Sequence, residues 1–262
     1  MKDSRVPKKL QHNLIVEAVF EMRFSIPEST SEQQIASQIM TKLLQSHVHK
    51  TASEDAQPIV RQNDMAMIPM EIRMQDTNLK YAPLFFLENI SDYKVAFGDH
   101  MLAIVHNMPY KGWEFFKNQI LDIIQEISSV LSRNKVYVER HSLRYADYVH
   151  NGIGGDLFKL LDINMFFGER NLMKSPFNLR TENHEDKNII VQEVVFPVHI
   201  NPSSDLSGVL IATDTVQIVN KFYENCSYNP SGDLEEMHSI NKEYFFQTLT
   251  EYAKEKLGAE YE

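Results

Sequence analysis

The sequence predicts an α+β protein in which antiparallel sheets are each packed by a long helix. Three observations carry that expectation. Residues 14–24, "LIVEAVFEMRF", alternate between apolar and mixed positions, as a strand with one face in a core does. Stretches around Trp113 and Ile240 place apolar residues three and four apart, the spacing of an amphipathic helix. The order strand, helix, several strands, long helix also occurs twice, which points to an internal duplication of a strand-helix-strands-helix unit. The halves are 1–133 and 134–262, as two α+β domains or as one continuous domain.

In the first strand, Leu14, Val16, Ala18, Phe20, Met22 and Phe24 share one face. Ile15, Glu17, Val19, Glu21 and Arg23 share the other, so Glu21 and Arg23 can pair on a half-wet surface. "PESTSEQQIASQIMTKLLQS" then reads as a helix, with Thr30 and Gln33 at capping-box spacing and Ile35, Ile39, Met40, Leu43 and Leu44 as its stripe. "HVHKTASEDAQP" reads as a loop. Between 65 and 74, Ala66, Ile68, Met70, Ile72 and Met74 alternate against Met65, Met67, Pro69, Glu71 and Arg73, so a strand is expected there. "APLFFLENI" and "DYKVAF" are further strands, and "FGDHMLAIVH" is a hairpin turning at Gly98 and Asp99. The middle helix carries Trp113, Phe116, Ile120, Ile123, Ile127 and Val130 along one side.

"KVYVERHSLRYADYV" opens the second half as a strand with one register shift, and "DLFKLLDI" is a short helix started by Asp156. "NIIVQEVVFPVHI" and "SGVLIATDT" are strands. "SINKEYFFQTLTEYAKEKLG" reads as one final helix closed by Gly258, with Ile240, Tyr244, Phe245, Leu249 and Tyr252 inward. Before it, "DTVQIVNKFYENCSYNPSGDLEEMH" reads as a long polar connection dotted with Phe222, Tyr223 and Tyr228. Each long helix lies across an antiparallel sheet, because two helices cannot bury their stripes on each other and also cover the sheets.

Composition narrows the function. An apolar share of 43% and a charged share of 24% are those of a globular protein. A formal charge of -10 argues against a non-specific nucleic-acid binder, which needs cations to displace counterions from phosphate. The short basic run "MKDSRVPKK" reads as a solubilising tail. Cys226 is the only cysteine, so no intramolecular disulfide forms. No apolar h-region follows the basic start and no apolar run approaches the ~20 residues of a membrane span. A cytoplasmic location is expected.

Little in the sequence announces a reaction. His47 and His49 lack further ligands at zinc spacing, so no metal is expected. Gly152, Gly154 and Gly155 match no phosphate-binding pattern, and Asp156 beside them repels an anion, so no cofactor is expected. There is no G-x-S-x-G elbow, and Cys226 has no matched His-Asn pattern. The polar group that remains is Glu21, Arg23, Arg140, His141 and Arg144. Arg140 and Arg144 are expected on one face of their strand, Glu139 and His141 on the other. If that strand pairs with the first, Glu21 and Arg23 meet Arg140 or Arg144, as sheet ion pairs or as an acid-base cluster. Trp113, Phe116, Tyr244 and Phe245 form core or line a pocket between sheet and helix.

"NLIVEAVFEMRF", "PYKGWEFF", "RYADYV" and "MHSINKEYFF", in that order along nearly the whole chain, resemble a sporadically distributed bacterial family of uncharacterised, conserved hypothetical proteins. The chain departs from it by lacking a clear "NPL" before the first strand, where His12 and Asn13 run directly into Leu14. The family brings no catalytic residues. Its patchy distribution is that of genes on mobile elements, antiphage defence and toxin-antitoxin loci included, and it implies a regulatory, sensing or neutralising role by analogy.

The function expected first is therefore a non-enzymatic protein binder, its acidic surface suited to a basic partner and its exposed apolar groups supplying the anchor. A small-ligand sensor with a pocket under Trp113 is the alternative, and an enzyme using the Glu/Arg/His group is the third.

Overall fold

The computed structural model describes residues 6–27, 32–50, 58–89, 92–153, 156–173, 175–199, 207–223 and 228–261. Its elements begin with β1 (Lys9–Leu10), β2 (Ile15–Ser25), α1 (Glu32–Lys50) and β3 (Ile59–Gln62). Next come α2 (Met70–Arg73), α3 (Thr77–Lys80), β4 (Phe85–Glu88), β5 (Tyr93–Phe97), β6 (Met101–His106) and α4 (Trp113–Arg133). Then follow β7 (Tyr137–His150), β8 (Phe166–Phe167), β9 (Arg170–Asn171), β10 (Phe177–Glu185), β11 (Asn188–Val198) and β12 (Gly208–Phe222). The chain closes with α5 (Ser231–Gln247), α6 (Glu251–Lys256) and β13 (Ala259–Glu260).

These elements make an α+β fold whose main sheet has nine strands in the order β10-β11-β12-β7-β2-β6-β5-β4-β3. The chain packs as two compact units. One collects Met1–Glu17, Arg144–Val216 and Glu236–Glu262; the other collects Ala18–Leu143 and Gln217–Glu235. Each therefore takes residues from both 1–133 and 134–262, and β2, β7, β12 and α5 contribute to both.

In the unit containing Ala18–Leu143, β2 presents Phe20, Met22 and Phe24 to the helices, as the alternation predicts. Ile35, Ile39 and Leu43 of α1 and Phe116, Ile120, Ile123 and Ile127 of α4 are fully buried beside them. The β5–β6 hairpin closes with Gly98 N–H donating to Met101 O at 2.9 Å. Gly98 is required there, since a Cβ would stand 2.5 Å from the Ala82 carbonyl oxygen. The opposite sheet face carries a second small core of Ala96, Met101 and Ala103 with Val19, Tyr81 and Phe86.

The strand expected over 65–74 is corrected. Asp64–Met67 is a 3-10 turn capped by Asn63, and Met70–Arg73 is the helical turn α2, entered at Pro69. Asp76 caps α3 by accepting from the Asn78 and Leu79 N–H groups. Local capping has overridden an apolar alternation that is coincidental. Helix α1 continues to Lys50, into the expected loop, and β3 and β10 are strands the periodicity did not mark.

In the other unit, α5 and α6 cover a core of Leu14, Val149, Leu160, Val209, Ile211 and Leu249. The expected single C-terminal helix is corrected to two. Thr248 Oγ1 bonds back to the Phe245 carbonyl at 2.6 Å, and Thr250 caps α6 by accepting from Ala253 N–H. Gly258, at φ +67°, follows the end of α6. The long connection read before this helix is also corrected, because β12 runs to Phe222 and α5 starts at Ser231. Asp156 does start a turn, a 3-10 one over Leu157–Lys159. β1 and β13 pair antiparallel, Lys9 opposite Glu260, with an ion pair of 3.1 Å between them. The Thr30–Gln33 box, Gly154, Gly155, Cys226 and the side chains of His47 and His49 lie outside the described residues.

Candidate functional site

Of the residues singled out in the sequence, Glu21, Arg23 and Arg140 meet. Arg23 Nε donates to Glu21 Oε1 at 2.6 Å, and an Arg140 Nη lies 3.4 Å from the same oxygen. Arg144 belongs to the other unit and pairs with Glu17 at 3.2 Å. His141 does not join them either; it points into the core against Phe20. The expected faces of β7 are thus corrected. Glu139 and Arg140 both stand on the half-wet face, while Val138 and His141 are buried, so the alternation slips by one residue at Glu139–Arg140, as at a β-bulge.

That slip enlarges the ionic array beyond what the sequence offered. Tyr81 Oη donates to Glu139 at 2.5 Å, Lys80 lies 3.7 Å from the same carboxylate, and the Arg23 guanidinium stacks over the Tyr81 ring at 4.5 Å. Burial and the bond to Glu139 raise the Tyr81 pKa. Burial lowers that of Lys80, but Tyr81 and Glu139 outweigh it and the net shift is upward. Each carboxylate of the array is held by at least one cation, an arrangement that fixes side chains on a sheet and leaves neither carboxylate positioned as a free base.

A different surface lies beside the array in sequence. Over residues 59–74, Ile59 is 57% exposed, Met67 77% and Ile72 53%, with Val60 and Met74 also exposed. Amid them Arg73 turns inward and forms a buried ion pair with Asp99 at 2.8 Å. The same stretch and its continuation expose Asp64, Glu71 and Asp76, none of them in an ion pair among the described residues. Arg61, the other cation here, is taken up by Glu88 at 2.7 Å and by the Phe86 ring. The stretch therefore exposes aliphatic, methionine and acidic side chains close together along the chain.

The aromatic candidates separate. Phe116 and Phe245 are buried. Trp113 Nε1 donates to Glu235 at 2.9 Å, and Tyr244 Oη donates to Glu185 and accepts from Asn183. Trp113 and Phe116 lie in one unit, Tyr244 and Phe245 in the other. A polar cleft of about 680 Å³ runs between α1 and α4, lined by Lys42, Gln45, Ser46, Gln125, Glu126 and Ser128, without any of these aromatic residues.

His141, singled out in the sequence as part of the polar group, is buried apart from it, and a second buried polar group, Asp147, went unmarked. His141 Nε2 hydrogen-bonds with the Tyr228 hydroxyl, 2.5 Å away, and burial pushes the His141 pKa down to about 4. Asp147 is buried in the other unit, and burial pushes its carboxyl up to about 7. Among the described residues no group of three His, Cys, Asp or Glu side chains is placed to hold a metal ion, and no helix is long and apolar enough to cross a membrane.

No protein-family model matches the chain, and no curated protein matches it in sequence.

Proposed function

We propose that this protein binds a partner protein and catalyses no reaction of its own. The observation that carries the reading is the exposed stretch 59–74, where Ile59, Val60, Met67, Ile72 and Met74 face solvent. Exposed apolar groups gathered in one stretch of chain are costly unless something covers them, and methionine adapts its shape to a partner. The buried Arg73–Asp99 pair anchors the stretch, so the apolar groups are presented on a fixed base. Asp64, Glu71 and Asp76 then select a cationic partner and speed its capture at low salt. The resemblance to a patchily distributed bacterial family supports a toxin, effector or phage component as that partner, in a defence or toxin-antitoxin locus.

The test compares wild type with Met67→Ser/Ile72→Ser by native mass spectrometry after gentle recovery from the source cells. A stoichiometric added protein mass on wild type, lost from the variant while its circular dichroism is unchanged, is the expected result. A partner kept undiminished by the variant overturns the reading.

A further inference from the structure

The main sheet ends differently on its two sides. At one end β10 carries Arg180, Glu182, His184 and Glu185, all exposed, the charged dressing that discourages further pairing. At the other end β3 reads Ile-Val-Arg-Gln, with every residue exposed and with neither proline nor lysine in it. Among the described residues β3 has a neighbour on one side only, which is β4.

The ladder tells which backbone groups are free. Asn63 N–H donates to the Leu84 carbonyl at 2.8 Å, and Ile59 and Arg61 stand opposite Glu88 and Phe86 in the same register. Hydrogen-bonded and non-bonded residues alternate along an antiparallel pair, so Ile59, Arg61 and Asn63 bond toward β4. Val60 and Gln62 therefore turn their N–H and C=O groups to the open edge. The side chains follow the same logic. Val60 stands opposite Leu87, which is fully buried, yet Val60 itself is 41% exposed. The core runs out at the last strand.

We propose that β3 accepts an extended, cationic segment of the partner as an additional antiparallel strand, pairing with the free N–H and C=O groups of Val60 and Gln62. This rests on the reading of the 59–74 stretch as a partner-binding surface and gives that binding its geometry. An aliphatic side chain of the incoming strand continues the core past Val60. Its basic residues meet Asp64, Glu71 and Asp76 as the chain leaves β3. Main-chain bonds supply affinity, and alternate side chains supply selectivity.

Two fluorescein-labelled leucine-lysine peptides of identical composition test this on the 262-residue chain. One alternates leucine and lysine; the other spaces its leucines three and four apart, as a helix does. The alternating peptide is expected to bind at least about tenfold more tightly. N-methylation of every second amide is expected to remove that advantage, because the edge then lacks donors to pair with. Val60→Pro takes away an edge N–H that β4 does not use and is expected to do the same without a lower melting temperature. Gln62→Pro is the second such variant. If the helix-patterned peptide binds as well or better, is indifferent to Val60→Pro and is lost with Met67→Ser/Ile72→Ser, strand addition is wrong while the surface reading stands. Binding of neither peptide overturns both.

Discussion

Arg73 sits in a solvent-facing stretch, yet its guanidinium is buried against Asp99, a residue of the β5–β6 turn. Taking two charges out of water costs several kcal/mol per ion, and the pair's attraction only offsets that. Removing one partner strands the other. Arg73→Met and Asp99→Leu alone are therefore each expected to lower stability by about 3–5 kcal/mol, and Arg73→Met/Asp99→Leu by clearly less. Urea unfolding of both singles and the double measures it. A double that costs the sum of its singles would show that the two side chains are not coupled. The Glu21–Arg23 pair was legible because residues two apart share a strand face. Its junction with Arg140 followed once β2 and β7 were taken as neighbours. Arg73 and Asp147 were not legible, since whether a polar side chain is buried depends on which distant elements fold over it. Tyr81 and Glu139 were missed for a narrower reason: the slip at Glu139–Arg140 moves one side chain to the opposite face, and its position cannot be counted from a period of two.

At the scale of elements, the sequence spoke clearly where side chains alternate or recur for a whole segment. β2, β5, β6, α4, β7 and β11 stand where periodicity places them. It misled at 65–74, where Met, Ile and Ala happen to alternate. The signals for turns were present in Asn63, Pro69 and Asp76, each beginning one. β3 and β10 were invisible because edge strands are exposed and carry no apolar face to count. The split between α5 and α6 was written in Thr248 and Thr250, whose hydroxyls end one helix and start the next. Thr250→Ala leaves the Ala253 N–H without its acceptor and is expected to cost about 1 kcal/mol. Thr250→Ser is expected to restore most of it. Equal losses in the two variants, read by thermal unfolding, would mean that the cap contributes nothing.

For the whole molecule, two buried groups set opposing responses to pH. His141 has a folded pKa of about 4 against 6.5 unfolded, so the folded state holds fewer protons between those values. Its contribution is full above 6.5 and is lost as the pH falls toward 4. Asp147 has a folded pKa of about 7 against 3.8, so its contribution is full below 3.8 and is lost as the pH rises through 7. Between about 4 and 6.5 the slopes are opposite, each about 1.4 kcal/mol per pH unit, and they cancel if the chain unfolds cooperatively. Because β2, β7 and β12 each contribute to both compact units, one cooperative transition is expected. Relative to wild type, Asp147→Asn is then expected to gain stability with rising pH across that window, and His141→Gln to lose it. Urea unfolding at several pH values reads both slopes, and a variant that parallels wild type would remove that group from the account.

The pairing of β1 with β13 has a mechanical consequence. Lys9 lies opposite Glu260, so the chain before Lys9 and the chain after Glu260 leave the small ladder on the same side. A force pulling these two segments apart loads the backbone bonds one at a time, like a zipper pulled from its open end, and never in parallel. The clasp that joins residues 9 and 10 to 259 and 260 is therefore a weak point under tension even where it holds at rest.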